Sequence, residues 1–302
     1  MKNTTAALPP QALHLSFEPG PYRMAMGLSA VSWPEWLEFD ERYAEEMALK
    51  RALLRERRDD VAILTEDSEA ACRETLELLA DYLPEHHPGW FSRMDRRLRN
   101  HLTDEVWDLD ALPCSALEAA SLLAQEDLCI VELPSGVPTL TAGVVCFPTR
   151  WYLRDKVGRP LLDVHGPVPF YAEKLGRPVD RFMSTVKPGH VAMRLNWSVL
   201  DDPTLFQPGG KFRTDRNEAI TVENAGERLF VRVERQTLTR LPASGAVLFA
   251  IRVHVYPIAR MAKRPGIAAR LADAIRALPP ETAHYKSLAR LREPLLAYLD
   301  AA

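Results

Sequence analysis

The 302-residue chain holds only four cysteines, Cys72, Cys114, Cys129 and Cys146, and no two of them form a CxxC pair. That spacing excludes zinc ribbons, thioredoxin-type redox pairs and plant-type iron–sulfur clusters. Reduced, mostly buried thiols are expected instead. The sequence has no GxGxxG loop, no GxxxxGK[ST] loop and no HExxH pair. It therefore offers no dinucleotide, P-loop or zincin signature. No apolar run reaches about 18 residues, so no transmembrane helix is expected. The start, MKNTTAALPPQALHL, has one lysine and no long apolar core. It makes a poor signal peptide, and the expected compartment is the cytoplasm. Nor is there a basic surplus: the formal net charge is −3. Neither nucleic acid nor membrane is an expected partner.

What remains is globular. Hydrophobic residues make up 47% and charged residues 26%, enough for one large domain or a core with a helical annex. Residues 1–125 read as mostly helical. DERYAEEMALKRALLRERRDDVAIL follows a capping Asp40 and carries Tyr43, Met47, Leu53 and Leu54 on its apolar face. DSEAACRETLELLADYLPEHHP starts on Asp67 and Ser68 and is expected to stop at Pro84. SALEAASLLAQED predicts a third helix. PGPYRMAMG and VSWPEWLEFD read as irregular segments with buried aromatics.

The texture changes over residues 126–258. LCIVEL and TLTAGVVCF, joined by PSGVP, predict a hairpin. A non-strand insert follows, with short helices at YAEKLGR and VDRFMSTVK. HVAMRLNWSVL, RLFVRVERQTL and AVLFAIRVHVY then predict three more strands. Residues 259–302 return to helix. Two strands, a helical insert and three strands give an α+β fold. The expectation is a PAS-like five-stranded antiparallel sheet with a helical insert, flanked by N-terminal and C-terminal helices. Such a domain holds a small ligand between insert and sheet.

The strand pattern names candidates. Arg194 and Asn196 share one face of their strand, opposite Met193, Leu195 and Trp197. Arg232, Glu234 and Gln236 alternate with Val231 and Val233, and Arg252 and His254 with Val253 and Val255. One reading is a half-solvated sheet; the other is an anion site, since guanidinium pairs with carboxylate in a fork. The insert holds LLDVHGPVP, residues 161–169. Its prolines stiffen the backbone around His165. That suits a metal ligand, and it suits an ordinary buried histidine in a turn equally well. Cys146 is the rival ligand, but VVCFP reads as the end of a buried strand, and the glycine-rich cysteine loop of P450 enzymes is absent. His86 and His87 follow a helix end; His14, His101 and His284 have no companions at ligand spacing. His190 and His254 lie at or in strands near the expected pocket.

Several blocks in order resemble one family. They are QEDLCIVEL, CFPTRW with DKVGRPLLDVHGPVP, RLNWSVLDDP, and RVERQTLTRLPASGAVLFAIRVHVYPI, with WLEFDERYAEEMALKR and LPEHHPGWF upstream. The chain is similar over about Phe17 to Ile258 to the α-subunit-like family of haem-dependent oxidative N-demethylases. The resemblance implies a PAS-like haem domain that uses O2 and external electrons to take a methyl group from a small secondary amine, releasing formaldehyde. It implies haem b as cofactor and a separate flavin and iron–sulfur reductase as partner. It implies His165 as the axial ligand, its other nitrogen bonded to Asp163 or a nearby carbonyl. Arg194, Arg232 and Arg252 then become candidates for the haem propionates or for fixing the pocket. Trp197, with Trp151, could pack on the porphyrin. Glu234 is the candidate to meet a cationic amine, unless it is simply cross-strand paired with an arginine. A haem-binding PAS-type sensor without turnover, or a ligand-binding relative that has lost haem, are the alternatives.

Overall fold

The structure, a computed structural model, describes residues 5–17 and 20–302. Its strands are β1 (Ser29–Val31), β2 (Ala62–Leu64), β3 (Phe91–Met94), β4 (Arg97–Asn100), β5 (Glu105–Asp108), β6 (Asp127–Glu132), β7 (Thr139–Val144), β8 (Arg159–Pro160), β9 (Val191–Leu200), β10 (Phe230–Arg240) and β11 (Val247–Pro257). The main sheet is antiparallel, with the path β1-β9-β10-β11-β6-β7-β2 and β8 on the side of β7. It has eight strands, not the expected five. The five long runs form its centre. The extra strands are two or three residues each, too short for alternation to reveal.

The N-terminal region is likewise less purely helical than its periodicity suggests. It supplies β1 and β2 to the main sheet and a separate three-stranded sheet, β3-β4-β5. Its long helices run Tyr43–Glu56 and Glu69–His86. The second continues through Pro84 instead of stopping there. Proline bars a bond to the preceding turn, but here only half a turn remains, so little is lost. At Ser115 a capping box opens the helix Ala116–Ser121, its hydroxyl bonded to the Glu118 amide.

Register assigns the faces of the sheet. Arg194, Asn196 and Ser198 of β9 stand opposite Gln236, Glu234 and Arg232 of β10, which stand opposite Ile251, Val253 and Val255 of β11. These residues share one face. The insert covers that face further along: Leu153, Leu161 and Met183 pack with Cys129, Val131, Leu238 and Val247. The other face carries Trp197, Arg235, Arg252, His254 and Tyr256. It is covered by the N-terminal segments and by the C-terminal helices, among them Ile267–Ala277 and Arg292–Ala301.

Within the N-terminal packing, His87 sits among Phe39, Trp90 and Tyr82, at ring distances of 4.7, 5.4 and 5.6 Å. Its Nε2 is buried without a partner. Burial, with the neighbouring His86, pushes its pKa down to about 4. Between that value and the ordinary 6.5 the unfolded chain binds a proton that the folded chain refuses. Stability is therefore full above the ordinary value and is lost as pH falls towards 4. Allowing for its partial exposure, the loss from this ring is about 2 kcal/mol. Urea midpoints at neutral and mildly acid pH should fall less on acidification in His87→Phe than in the parent. Equal falls would show that the ring is protonated in the folded state.

Candidate functional site

His165 ends a single helical turn, Leu161–Val164, that begins directly after Pro160 of β8. The turn is anchored to the sheet's side through Leu161 N, which donates to Pro138 O at 2.8 Å. Both the backbone N–H of His165 and its ring Nδ1 reach Leu161 O, at 3.1 and 2.8 Å. The proline-stiffened turn thus supplies its own acceptor; the partner is a carbonyl and not Asp163. With Nδ1 donating, Nε2 is left with its lone pair. It makes no hydrogen bond to any described residue. Tyr171 stacks on the ring at 4.3 Å and 10°. Burial, aided by the charges of Lys156, Arg194 and Lys211, pushes the imidazole pKa down to about 4. The ring is therefore neutral, the form that binds a metal.

Around it lies a group of cations. Arg194 is largely buried, and burial lowers its pKa despite the field of Glu234. Its Nε is sealed from solvent without a partner, and its guanidinium makes no hydrogen bond or ion pair with a described residue. A desolvated, unpaired guanidinium is costly unless something anionic meets it. Lys211 donates to Tyr285 Oη at 2.6 Å, and Lys286 to Trp197 O at 2.5 Å and weakly to Asn196 Oδ1 at 3.5 Å. Burial pushes both amines down to about 8, against the pull of Glu234. The loop carrying Lys211 is closely fitted: Gly209 has φ +74°, and a Cβ there would lie 2.7 Å from Tyr152 Oη.

Glu234 is the buried anion of this group. Thr149 Oγ1 donates to its Oε1 at 2.5 Å; Asn196 Nδ2 and Gln236 Nε2 donate to its Oε2 at 3.1 and 2.7 Å. It is held by neutral donors, not by the cross-strand arginine that the pattern allowed.

Two expected contacts are corrected by the geometry, and Arg232 takes the second of its two expected roles, fixing the pocket. Arg252 lies on the other face, fully buried, and pairs with Asp40 Oδ2 at 2.6 Å and Glu46 Oε2 at 2.8 Å. Trp197 also faces away from His165, edge-on to Phe17 at 5.1 Å. Strand alternation puts both across the sheet from Glu234. Arg232 is on the right face but already engaged. Its guanidinium donates to Thr149 Oγ1 and to the carbonyls of Phe147, Pro148, Thr204 and Leu205. It fixes the loop that presents Thr149 to Glu234, so it acts on the site through that hydroxyl. Cys146 is fully buried, and burial raises its thiol far above the ordinary range. His190 turns its Nδ1 to Pro188 O at 3.2 Å.

Lys211, Tyr285 and Lys286 escaped the sequence reading. They come from a loop and from the end of a C-terminal helix, Pro280–Tyr285. No local pattern announces that this helix end reaches the exposed edge of β9.

A family model described as "Haem-dependent oxidative N-demethylase, alpha subunit-like" matches residues 27–296. The chain belongs to this family. Its name implies haem dependence, a small-molecule substrate and oxidative chemistry. The residues present fit haem. An open, neutral imidazole nitrogen is a haem ligand, and an orphaned guanidinium with two buried amines is a setting for propionates. Among the described residues no helix is long and apolar enough to cross a membrane.

Proposed function

We propose that this chain binds haem b on the β9–β10 face and oxidatively N-demethylates a small secondary amine, with electrons from a separate flavin and iron–sulfur reductase. The observation that carries the reading is His165. Its imidazole is held neutral by burial, with Nδ1 tied to Leu161 O and Nε2 open, beside a buried guanidinium that lacks a partner. The path β9-β10-β11-β6-β7, with the insert between β7 and β9, supports the PAS-like expectation.

Haem iron, when bound, supplies the reductive activation of O2. The net change is that amine, O2, two electrons and two protons give demethylated amine, formaldehyde and water. The chain's own residues bind and orient. His165 would ligate the iron. Arg194, Lys211 and Lys286, with Lys156 and Arg232 also in the field, outweigh the charge of Glu234 and give a positive surplus of the sign that propionates require. Glu234, fixed by Thr149, Asn196 and Gln236, would receive the amine N–H and orient the methyl group. Burial keeps water from competing for that carboxylate.

The test is haem reconstitution, absorption spectra with and without carbon monoxide, and formaldehyde release from an amine panel with a supplied reductant. No haem uptake would sink the reading. Uptake without turnover on any amine would favour the sensor. In a competent enzyme, Glu234→Gln should leave the haem spectrum in place and weaken kcat/KM at least about 30-fold, the effect of removing one partner of a buried charged contact. An unchanged kcat/KM would remove Glu234 from the amine site.

A further inference from the structure

On the opposite sheet face, His14, Glu38 and His254 converge. His14 Nε2 lies 2.9 Å and His254 Nε2 3.0 Å from the same atom, Glu38 Oε2. The three ligand atoms lie within 4.8 Å of one another, and the two imidazole centroids are 4.8 Å apart. Each residue comes from a different part of the chain. His14 is on the irregular segment 11–17, Glu38 precedes the first long helix, and His254 is on β11.

We propose that this cluster is a binding site for a zinc-class divalent cation, with His14 Nε2, His254 Nε2 and Glu38 Oε2 as ligands and water in the fourth position. Two imidazoles and one carboxylate form a borderline donor set that selects zinc-like ions over magnesium or calcium. In a tetrahedral zinc shell, ligand atoms lie about 3.3 Å apart. The nitrogen–oxygen separations need to open by a few tenths of an ångström, and the two imidazole nitrogens, within 4.8 Å of one another, need to close by up to about 1.5 Å.

The surrounding charge favours the ion. Glu38, Asp40, Glu46 and Glu126 all lie in the field of Arg252. The other buried guanidinium is Arg235, 3.0 Å from Glu38 Oε1. Arg42 adds a contact of 3.8 Å to Glu46 from the surface, where it is shared with Glu45. With Glu126 protonated, the buried Asp40 and Glu46 and the partly exposed Glu38 outnumber the two buried guanidiniums by one; with Glu126 ionised the surplus is two. A dication offsets that surplus at the one place where three ligand atoms meet. The site lacks one support: His254 Nδ1 is buried without an acceptor. A missing partner of that kind weakens metal binding about 10–100-fold.

The ion would clamp the N-terminal segment to the sheet. That segment is already anchored at its end by the buried Phe17, whose carbonyl accepts from Arg270 at 2.7 Å, and beside His14 by Tyr256 Oη, which donates to Ala12 O at 2.6 Å and accepts from His14 N at 3.3 Å. Glu38 and His254 are held by the fold, so binding mainly orders His14.

The experiment uses the full chain after chelator treatment, titrated calorimetrically with Zn2+ alone, followed by anomalous diffraction at the zinc edge. One equivalent should bind, raise the melting temperature and give a peak between the three ligand atoms. His14→Gln, at a partly exposed ring outside the strands and helices, should keep the zinc-free melting temperature and lose at least about tenfold in affinity. Glu38→Gln should lose affinity likewise; it also takes the charged partner from the buried Arg235, so its zinc-free melting temperature should fall, and its affinity is read at a temperature where it is folded. No stoichiometric binding, affinity unchanged in both variants, or a peak at another histidine would each overturn the assignment. None of these readouts depends on haem.

Discussion

Replacing His165 with alanine is expected to abolish amine oxidation and to lower haem affinity by at least about 100-fold. Loss of a group that only supports a ligand already costs 10–100-fold. No other described histidine or cysteine is placed to replace it: Cys146 is locked in the core with its thiol protonated, His254 is across the sheet, and His190 is exposed just before β9. The fold should survive, because the ring contributes one stacking contact with Tyr171 and one bond to Leu161 O. Added imidazole should enter the vacated space and restore part of the ligated spectrum. A haem spectrum and turnover unchanged in His165→Ala would place the cofactor elsewhere. The same spectrum lost only together with the folded state would give the histidine a structural role and nothing more.

How far the sequence revealed this arrangement follows from the range of each signal. Three of the five central strands were legible because alternation over ten or more residues marks both the strand and its faces, and β6 and β7 because each is a short apolar run bounded by turn residues. Alternation within β9 already sets Trp197 on the face opposite Arg194, but that Glu234 joins Arg194 and Arg252 does not is decided only by the register across β9, β10 and β11. That register is a property of strand pairing, not of any one strand. Arg232 shows a second limit. Its face was right, yet its role depends on carbonyls brought in by residues 147–148 and 204–205, far away in the chain. Lys211, Lys286 and the His14–Glu38–His254 cluster are tertiary meetings of that same kind. A histidine with no companion at ligand spacing, such as His14, can still have two companions in space. His165 stood out for a local reason, the prolines that follow it, but the ligand role came from the family resemblance, and the Leu161 carbonyl that fixes its ring is a feature of the folded turn.

Arg252→Leu is expected to have the largest effect on stability of any single substitution on the far face, about 3–5 kcal/mol and a melting temperature lower on the order of 10 °C. The arginine is fully buried, and its two ion pairs are to Asp40 and Glu46, both buried themselves. Removing it leaves two carboxylates in a low-dielectric setting with only Gln125, which donates to each of them, as a buried side-chain partner on that side. The penalty is that of uncompensated charge rather than of lost contact. Adding Asp40→Asn and Glu46→Gln to the same chain should therefore recover part of the loss, although each removes another charged group. Because the sheet stands between Arg252 and His165, haem uptake measured well below the melting temperature should match the parent. Calorimetric melts and haem titrations on the single and triple variants separate the two roles. Weakened haem binding at unchanged stability would return Arg252 to the cofactor site that its place in the sequence first suggested.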